Sequence, residues 1–119
     1  MNGTELGKKG EDTAVKFLCC HGYRILARNY RGAGGELDIV AQEGDALVFV
    51  EVKTRRGNRC GTPGQSVTWR KQQKIIRTAR WYLHQYHMEH IPCRFDVIEV
   101  CPCPMEAWDI RQIRGAFEA

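Results

Sequence analysis

Apolar positions along the chain change period several times, and each change marks an element. Between Glu5 and His21, Ala14, Val15 and Leu18 cluster within about 60° of Glu11 at 100° per residue, with Gly7 alongside. That spacing predicts an amphipathic helix stopped by Gly22. "YRILARNYR", Tyr23 to Arg31, reads as an extended first strand, and "RGAGG" as a turn. The stretch "GGELDIVAQEGDALVFVEVKTR", Gly34 to Arg55, then alternates over two runs joined near "EGD", the signature of a β-hairpin. "RRGNRCGTPGQS", Arg55 to Ser66, is a loop. "SVTWRKQQKIIRTARWYLHQY" follows as a long helix, capped by Ser66 or Thr68, with Ile75, Ile76, Ala79, Tyr82, Leu83 and Tyr86 on its apolar face. "CRFDVIEV", Cys93 to Val100, alternates as another strand, and "AWDIRQIRGAF" predicts a short strand plus a terminal turn that docks on the rest.

The hairpin raises a question of register, because it carries carboxylates and a lysine where a plain strand favours Val, Ile or Thr. A pairing with Gln42 opposite Asp45 sets Leu37 against Val50 and Ile39 against Val48, which with Val52 form a dry core face. It also sets Glu36 opposite Glu51 and Asp38 opposite Phe49. Asp38 and Glu51 then become diagonal neighbours on the other face, about 7 Å apart at the backbone. Lys53 shares the face of Glu51 by the period of two. A slip of one residue would mix valines with carboxylates, which argues for this parity.

Length and composition agree with a single globular domain over residues 1–119, large enough to bury a core around a central sheet. No stretch is apolar enough to cross a membrane, and the N-terminal "MNGTELGKKGEDTAVKFL" lacks the apolar region of a signal peptide, so a cytoplasmic protein is expected. The six cysteines are accordingly expected to be reduced thiols with mostly structural roles. "CPCP" and "HQYHMEH" lack the spacing of a zinc knuckle, which argues against structural zinc. Charge changes the picture more. Between Val52 and Met88 there are nine Lys and Arg and no Asp or Glu, whereas the rest of the chain carries nine Lys and Arg against 14 Asp and Glu. A block of this kind suits a phosphate backbone, the alternative being a solvated basic helix face.

Carboxylates on two adjacent strands, with a lysine two residues beyond one of them, meet a specific chemical need. Asp38 and Glu51 supply oxygen ligands to a hard divalent cation such as Mg2+, and the backbone carbonyl of Val52 and water complete the shell. Lys53 is placed to orient or deprotonate an attacking water, or to offset charge growing on a phosphoryl oxygen. Glu11 points toward the core side of its helix, where an unpaired carboxylate needs a cation, an Arg or Lys partner, or a metal. The plainer reading of Glu51 and Lys53 is a surface salt bridge. Four features together favour chemistry: the Asp38 partner, the apolar opposite face, the core-side Glu11, and the acid-free basic segment starting at Lys53.

These residues resemble a known pattern. "GELDIV", followed after a short hairpin by "VFVEVKTR", resembles the D…E-x-K core of the PD-(D/E)XK, or restriction-endonuclease-like, nucleases. The whole chain resembles the YraN-type (UPF0102) family within that superfamily. The residues that carry this likeness are Gly7, Gly10, Glu11 and Ala14, "RNYR", "SVTWRKQQKI", "RFDVI", and Ala116 with Phe117. The resemblance implies an α/β fold with a restriction-endonuclease-like core, a central mixed β-sheet flanked by helices, and metal-dependent phosphodiester hydrolysis. It carries metal-ligand roles to Asp38 and Glu51, the catalytic-lysine role to Lys53, and a supporting acidic role to Glu11, as in archaeal Holliday-junction resolvases. Leu37 stands where the superfamily often has proline, a mild departure because proline has no chemical task there.

The expected cofactor is therefore Mg2+ or Mn2+, and the expected partner is DNA, selected by structure rather than sequence, with a homodimer possible by family. Arg55, Arg56, Arg70, Lys71, Gln72, Lys74 and Arg77 are the expected nucleic-acid contacts, although Gln72 and Lys74 are equally placed for a surface role. Asp96 is expected to pair with Arg94 or Arg28 rather than lie at the metal, and Glu36 either assists or sits at the rim. Trp69 and Trp81 are expected in the core rather than stacked on bases. Two other readings remain at this level: a nucleic-acid-binding module of the same fold with little activity, and a protein-interaction domain with a charged face.

Overall fold

A computed structural model describes residues 3–55, 67–103 and 107–119. Its elements run α1 (Gly3–Cys20), β1 (Arg24–Gly32), β2 (Gly35–Glu43), β3 (Ala46–Thr54), α2 (Trp69–Gln85), β4 (Cys93–Cys101) and β5 (Asp109–Phe117). The five strands form one sheet in sequence order. Every neighbouring pair is antiparallel except β3 and β4, which are parallel and joined through α2. A parallel pair needs such a crossover, and α2 supplies it. The result is an α/β fold whose mixed sheet carries a helix on each face, compatible with a restriction-endonuclease-like core.

The helix ends follow local chemistry. Gly22 leaves α1 in the left-handed region at φ 86°, which glycine tolerates without penalty. Thr68 caps α2, its hydroxyl accepting from Lys71 N at 3.2 Å. Ser66, the other expected cap, and Arg56 lie outside the described residues. The tail forms a full nine-residue strand rather than the short strand and turn expected, because β4 offers it an edge from Phe95 to Cys101.

Two cores sandwich the sheet. Under α1 lie Ala14, Leu18, Ile39, Val48, Val50, Ile98 and Val100. Under α2 lie Val40, Leu47, Phe49, Phe95 and Val97, with Ile75, Ile76, Ala79 and Tyr82 from the helix. The strand face expected to be given over to chemistry is thus mostly a second apolar core, since α2 covers it. Tyr86, Trp69 and Trp81, all read as apolar-face or core residues, are instead exposed. Trp69 and Trp81 lie outside the arc of α2 that Ile75, Ile76, Thr78, Ala79 and Tyr82 bury, whereas Tyr86 is on that arc but at the C-terminal cap, where the helix leaves the sheet. Among the described residues no helix is long and apolar enough to cross a membrane. Cys19, Cys20 and Cys93 are free thiols, whereas Cys101 is disulfide-bonded, a departure from the expectation of reduced cysteines throughout.

Candidate active site

The β2–β3 hairpin decides what the carboxylates can do. Its observed pairs are Ile39 with Val50, Ala41 with Val48, and Glu43 with Ala46. The register is therefore shifted by two residues from the expected one, in which Ile39 faced Val48. Parity survives the shift, because side chains alternate with a period of two. The connection explains the shift: Gly44 and Asp45 are its two central residues, and Gly44 takes φ 57° at the first of them. A two-residue hairpin with glycine at that place is favoured, whereas the expected pairing would have put Glu43 there.

The shift brings the acids closer than expected. Extended by one step, the observed register sets Asp38 directly across from Glu51 rather than diagonally. The regular ladder stops at Ile39 and Val50, and the Val52 N–H donates to Asp38 Oδ2 at 2.8 Å. Alternation also breaks here. Leu37 belongs to the core under α2 and Ile39 to the core under α1, although they share parity. Across the same point in β1, between the Arg28–Ile39 and Tyr30–Leu37 pairs, Asn29 sits in the left-handed region at φ 51°. Asn tolerates that conformation better than most residues, and here it marks a local kink.

The kink turns Asp38 toward α1. A cavity of about 370 Å3 is lined there by Gly3, Leu6, Gly7, Glu11, Asp38, Val52 and Thr54. Gly10 makes this approach possible, since a Cβ at that position would overlap the Thr54 side chain. The Gly10–Glu11 pair thus docks α1 on the end of β3 and delivers a carboxylate to the cavity. Glu11 is partnered on one oxygen: Arg28 Nε donates to Oε1 at 3.1 Å and Asn29 Nδ2 at 3.0 Å, while a second Arg28 nitrogen reaches Asp12. The arginine partner anticipated for Glu11 is therefore Arg28.

Glu51 is the electrostatically loaded member. It is 6% exposed, and burial pushes its pKa up to about 7, with the adjacent Asp38 carboxylate raising it further. Lys71 Nζ at 3.5 Å from Oε2, and the charge of Lys53, act in the opposite direction. Lys53 is half-buried on the same strand, in register with Glu99 of β4. Among the described residues no three His, Cys, Asp or Glu side chains gather as a metal cage. Asp38 and Glu51 are the two carboxylates that lie together at the end of the ladder.

The expected nucleic-acid contacts separate into two groups. Arg70, Lys74 and Arg77 are exposed along α2. Lys71 is exposed but engaged with Glu51, Gln72 donates to Val67 O, and Arg55 is bound to the fully buried Glu99 at 3.1 Å. Glu99 and the Gly10–Thr54 contact were not foreseen. An acid within a run of valines, "DVIEV", was the available signal for the first, and the glycine before Glu11 for the second. Asp96 is paired as expected: Arg94 grips it through two bonds of 2.8 and 2.9 Å, and Gln112 and the Gly115 N–H complete its shell.

The model of the Uncharacterised protein family UPF0102 matches residues 10–100, from the Gly10–Glu11 pair through β4. The chain belongs to this family. It is 53% identical over 114 residues to a UPF0102 protein of Symbiobacterium thermophilum, covering 96% of this chain and 97% of that one. A UPF0102 protein of Caldicellulosiruptor saccharolyticus is 45% identical over 118 residues, covering 98% and 100%. One from Prosthecochloris aestuarii is 45% identical over 120 residues, covering 97% and 94%. The matched region holds every acid of the candidate site as well as the basic helix α2.

Proposed function

We propose that this chain is a Mg2+- or Mn2+-dependent nuclease that hydrolyses DNA phosphodiester bonds at Asp38, Glu51 and Lys53. The observation that carries this reading is the convergence of Asp38 and Glu51 where the β2–β3 ladder ends, with Glu51 pushed up to about 7. A buried and a half-buried carboxylate held side by side repel each other unless a proton or a cation lies between them. Their oxygens fit a hard divalent ion, with the Val52 carbonyl and water filling the remaining positions, a partial shell of the kind Mg2+ accepts. Glu11, paired with Arg28 and hydrogen-bonded by Asn29 on one oxygen, supports the site from across the cavity. When bound, the ion supplies Lewis acidity toward the phosphoryl oxygen and a readily deprotonated water.

The remaining steps belong to the chain itself. Asp38 is held in place by the Val52 N–H, which limits the rotation that an isolated carboxylate would have. Lys53 sets a positive charge on the strand beyond Glu51, where negative charge grows on the phosphoryl group in the transition state. The cations of α2 hold the phosphate backbone, so affinity is mostly electrostatic and falls steeply with salt.

A second reading is a nucleic-acid-binding module that cleaves poorly alone. The Arg28 and Asn29 bonds to Glu11 favour it, because they tie up one oxygen of the third carboxylate at the cavity. The assay is cleavage of single-stranded, duplex, flap and four-way-junction DNA in Mg2+, Mn2+ or EDTA. We expect metal-dependent cleavage that Asp38→Ala and Glu51→Ala each reduce by at least about a thousandfold, about 4 kcal/mol of barrier, with DNA binding retained. Cleavage surviving in the purified double variant rules out the nuclease reading. DNA binding with no cleavage and no Mn2+-dependent rise in Tm selects the second.

A further inference from the structure

The outer surface of α2 carries more order than general attraction to a phosphate backbone requires. Arg70, Lys74, Arg77 and Trp81 recur at i, i+4, i+7 and i+11, the spacing of one stripe on a helix. The three cations are exposed, and Trp81 is 47% exposed. The stripe begins beside Lys71, whose ammonium reaches Glu51. It ends at Trp81, about 15 Å further along the axis at 1.5 Å per residue. That length matches about four stacked nucleotides at 3.4 Å each.

Trp81 is an anchored ring. It lies against Gly32 at the end of β1, where a Cβ would come within 2.5 Å of the indole Cδ1. Glycine at that position lets the ring rest on the backbone beside the β1–β2 turn while much of its surface stays open. Arg77 leans on the same hairpin, within 3.9 Å of a Cβ built at Gly34. A large apolar ring, fixed on one side, open on the other, and preceded by cations on one stripe, suits an unpaired base better than a duplex. Inside a duplex the π-faces are already stacked, whereas a single strand presents them.

We propose that this stripe is a single-strand track that holds the phosphates of DNA on Arg70, Lys74 and Arg77 and stacks an unpaired base on Trp81. The proposal rests on the nuclease reading only for the choice of DNA, and it makes the preferred substrate one with unpaired nucleotides next to the cleaved bond. A protein partner or a second copy of the chain on the same surface is an alternative that the test separates.

Binding is read by fluorescence anisotropy in EDTA, with oligothymidylate and a blunt duplex of equal length, so the result does not depend on cleavage. Trp81→Ala is expected to lower the ratio of single-strand to duplex affinity about five- to a hundredfold, and Trp81→Phe to restore most of it. A second readout leaves Trp81 in place. In the Trp69→Phe/Trp108→Phe chain its emission is expected to be quenched by oligothymidylate more than by duplex at equal saturation. Equal loss on both DNAs, or emission unaffected by the single strand, overturns the track. So does a wild-type dimer that Trp81→Ala dissociates, which would assign the surface to a second copy. Persistence of the ratio change in a protein that never cleaves would keep the track and sink the nuclease.

Discussion

Two groups of acids lie in this small sheet, and they are solved in opposite ways. Around Asp96, Arg94 and Gln112 donate to the carboxylate and the Gly115 N–H closes the shell. Glu43 is joined to the same network by Arg94 and Arg114, and Tyr23 accepts from Arg94 and Gln112. Around Asp38 and Glu51, each acid finds the other acid, with one N–H on Asp38 and one lysine at 3.5 Å from Glu51. A satisfied network holds the fold together, whereas an under-partnered pair has a preference left for something outside the protein. On the proposed reading, this difference separates a structural acid from a catalytic one, even though both occupy strands of the same sheet.

The sharpest test of this contrast is to neutralise one acid from each group. Asp96→Ala takes a fully buried acceptor away from Arg94, Gln112 and the Gly115 N–H, leaving Arg94 with Glu43 and Tyr23, and is expected to cost about 3 kcal/mol in urea unfolding. Glu51→Gln removes a charge that the fold holds at a disadvantage, so at pH 7.5 without metal it is expected to leave stability unchanged or raise it. A large loss in Glu51→Gln would erase the distinction.

The two groups should also respond to pH with opposite sign. Glu51 is raised in the folded protein, so its contribution is fully present below the ordinary carboxylate value near 4.5 and disappears as pH rises through about 7. The span corresponds to about 3 kcal/mol. Glu43 is held below its ordinary value, first by the Arg94 hydrogen bond, so its contribution is present at neutral pH and is lost as pH falls through the acid range. Thermal unfolding against pH is expected to show both limbs in metal-free protein. Glu51→Gln should flatten the upper limb alone, and Glu43→Gln the lower one alone.

The smallest effect concerns how α1 reaches the Asp38–Glu51 pair. Gly10→Ala forces a methyl into the Thr54 side chain and is expected to cost about 1–3 kcal/mol, partly recovered by Thr54→Ala. A neutral Gly10→Ala would mean that the close approach of α1 to β3 is not needed.

Much of this contrast was legible before the fold was known. The parity of the hairpin follows from its alternation, since a one-residue slip would bury charges among valines, and so Asp38, Glu51 and Lys53 stood apart from Ile39, Val48 and Val50. The pairing of Asp96 with Arg94 was legible from an i, i+2 pair on one strand face. The exact register was not, because it depends on which residue takes the first turn position, and Gly44 rather than Glu43 does so. The second core was hidden for a related reason: alternation says which side chains share a face, but not that α2 will cover it. Trp81 was misread because helical spacing alone does not show which flank of the apolar arc the hairpin leaves open.

The sequence by itself determined the elements, the parity of the strands, the acid-free basic helix and the identity of the acids, because each of these depends on local period and charge. Only the tertiary structure decided that Asp38 faces Glu51 directly, that Glu11 is shared with Arg28 and Asn29, and that Trp81 rests open on Gly32. Those outcomes depend on a kink at Asn29, a glycine in α1 and the crossing of two elements far apart in the chain, and such long-range contacts leave no period to read.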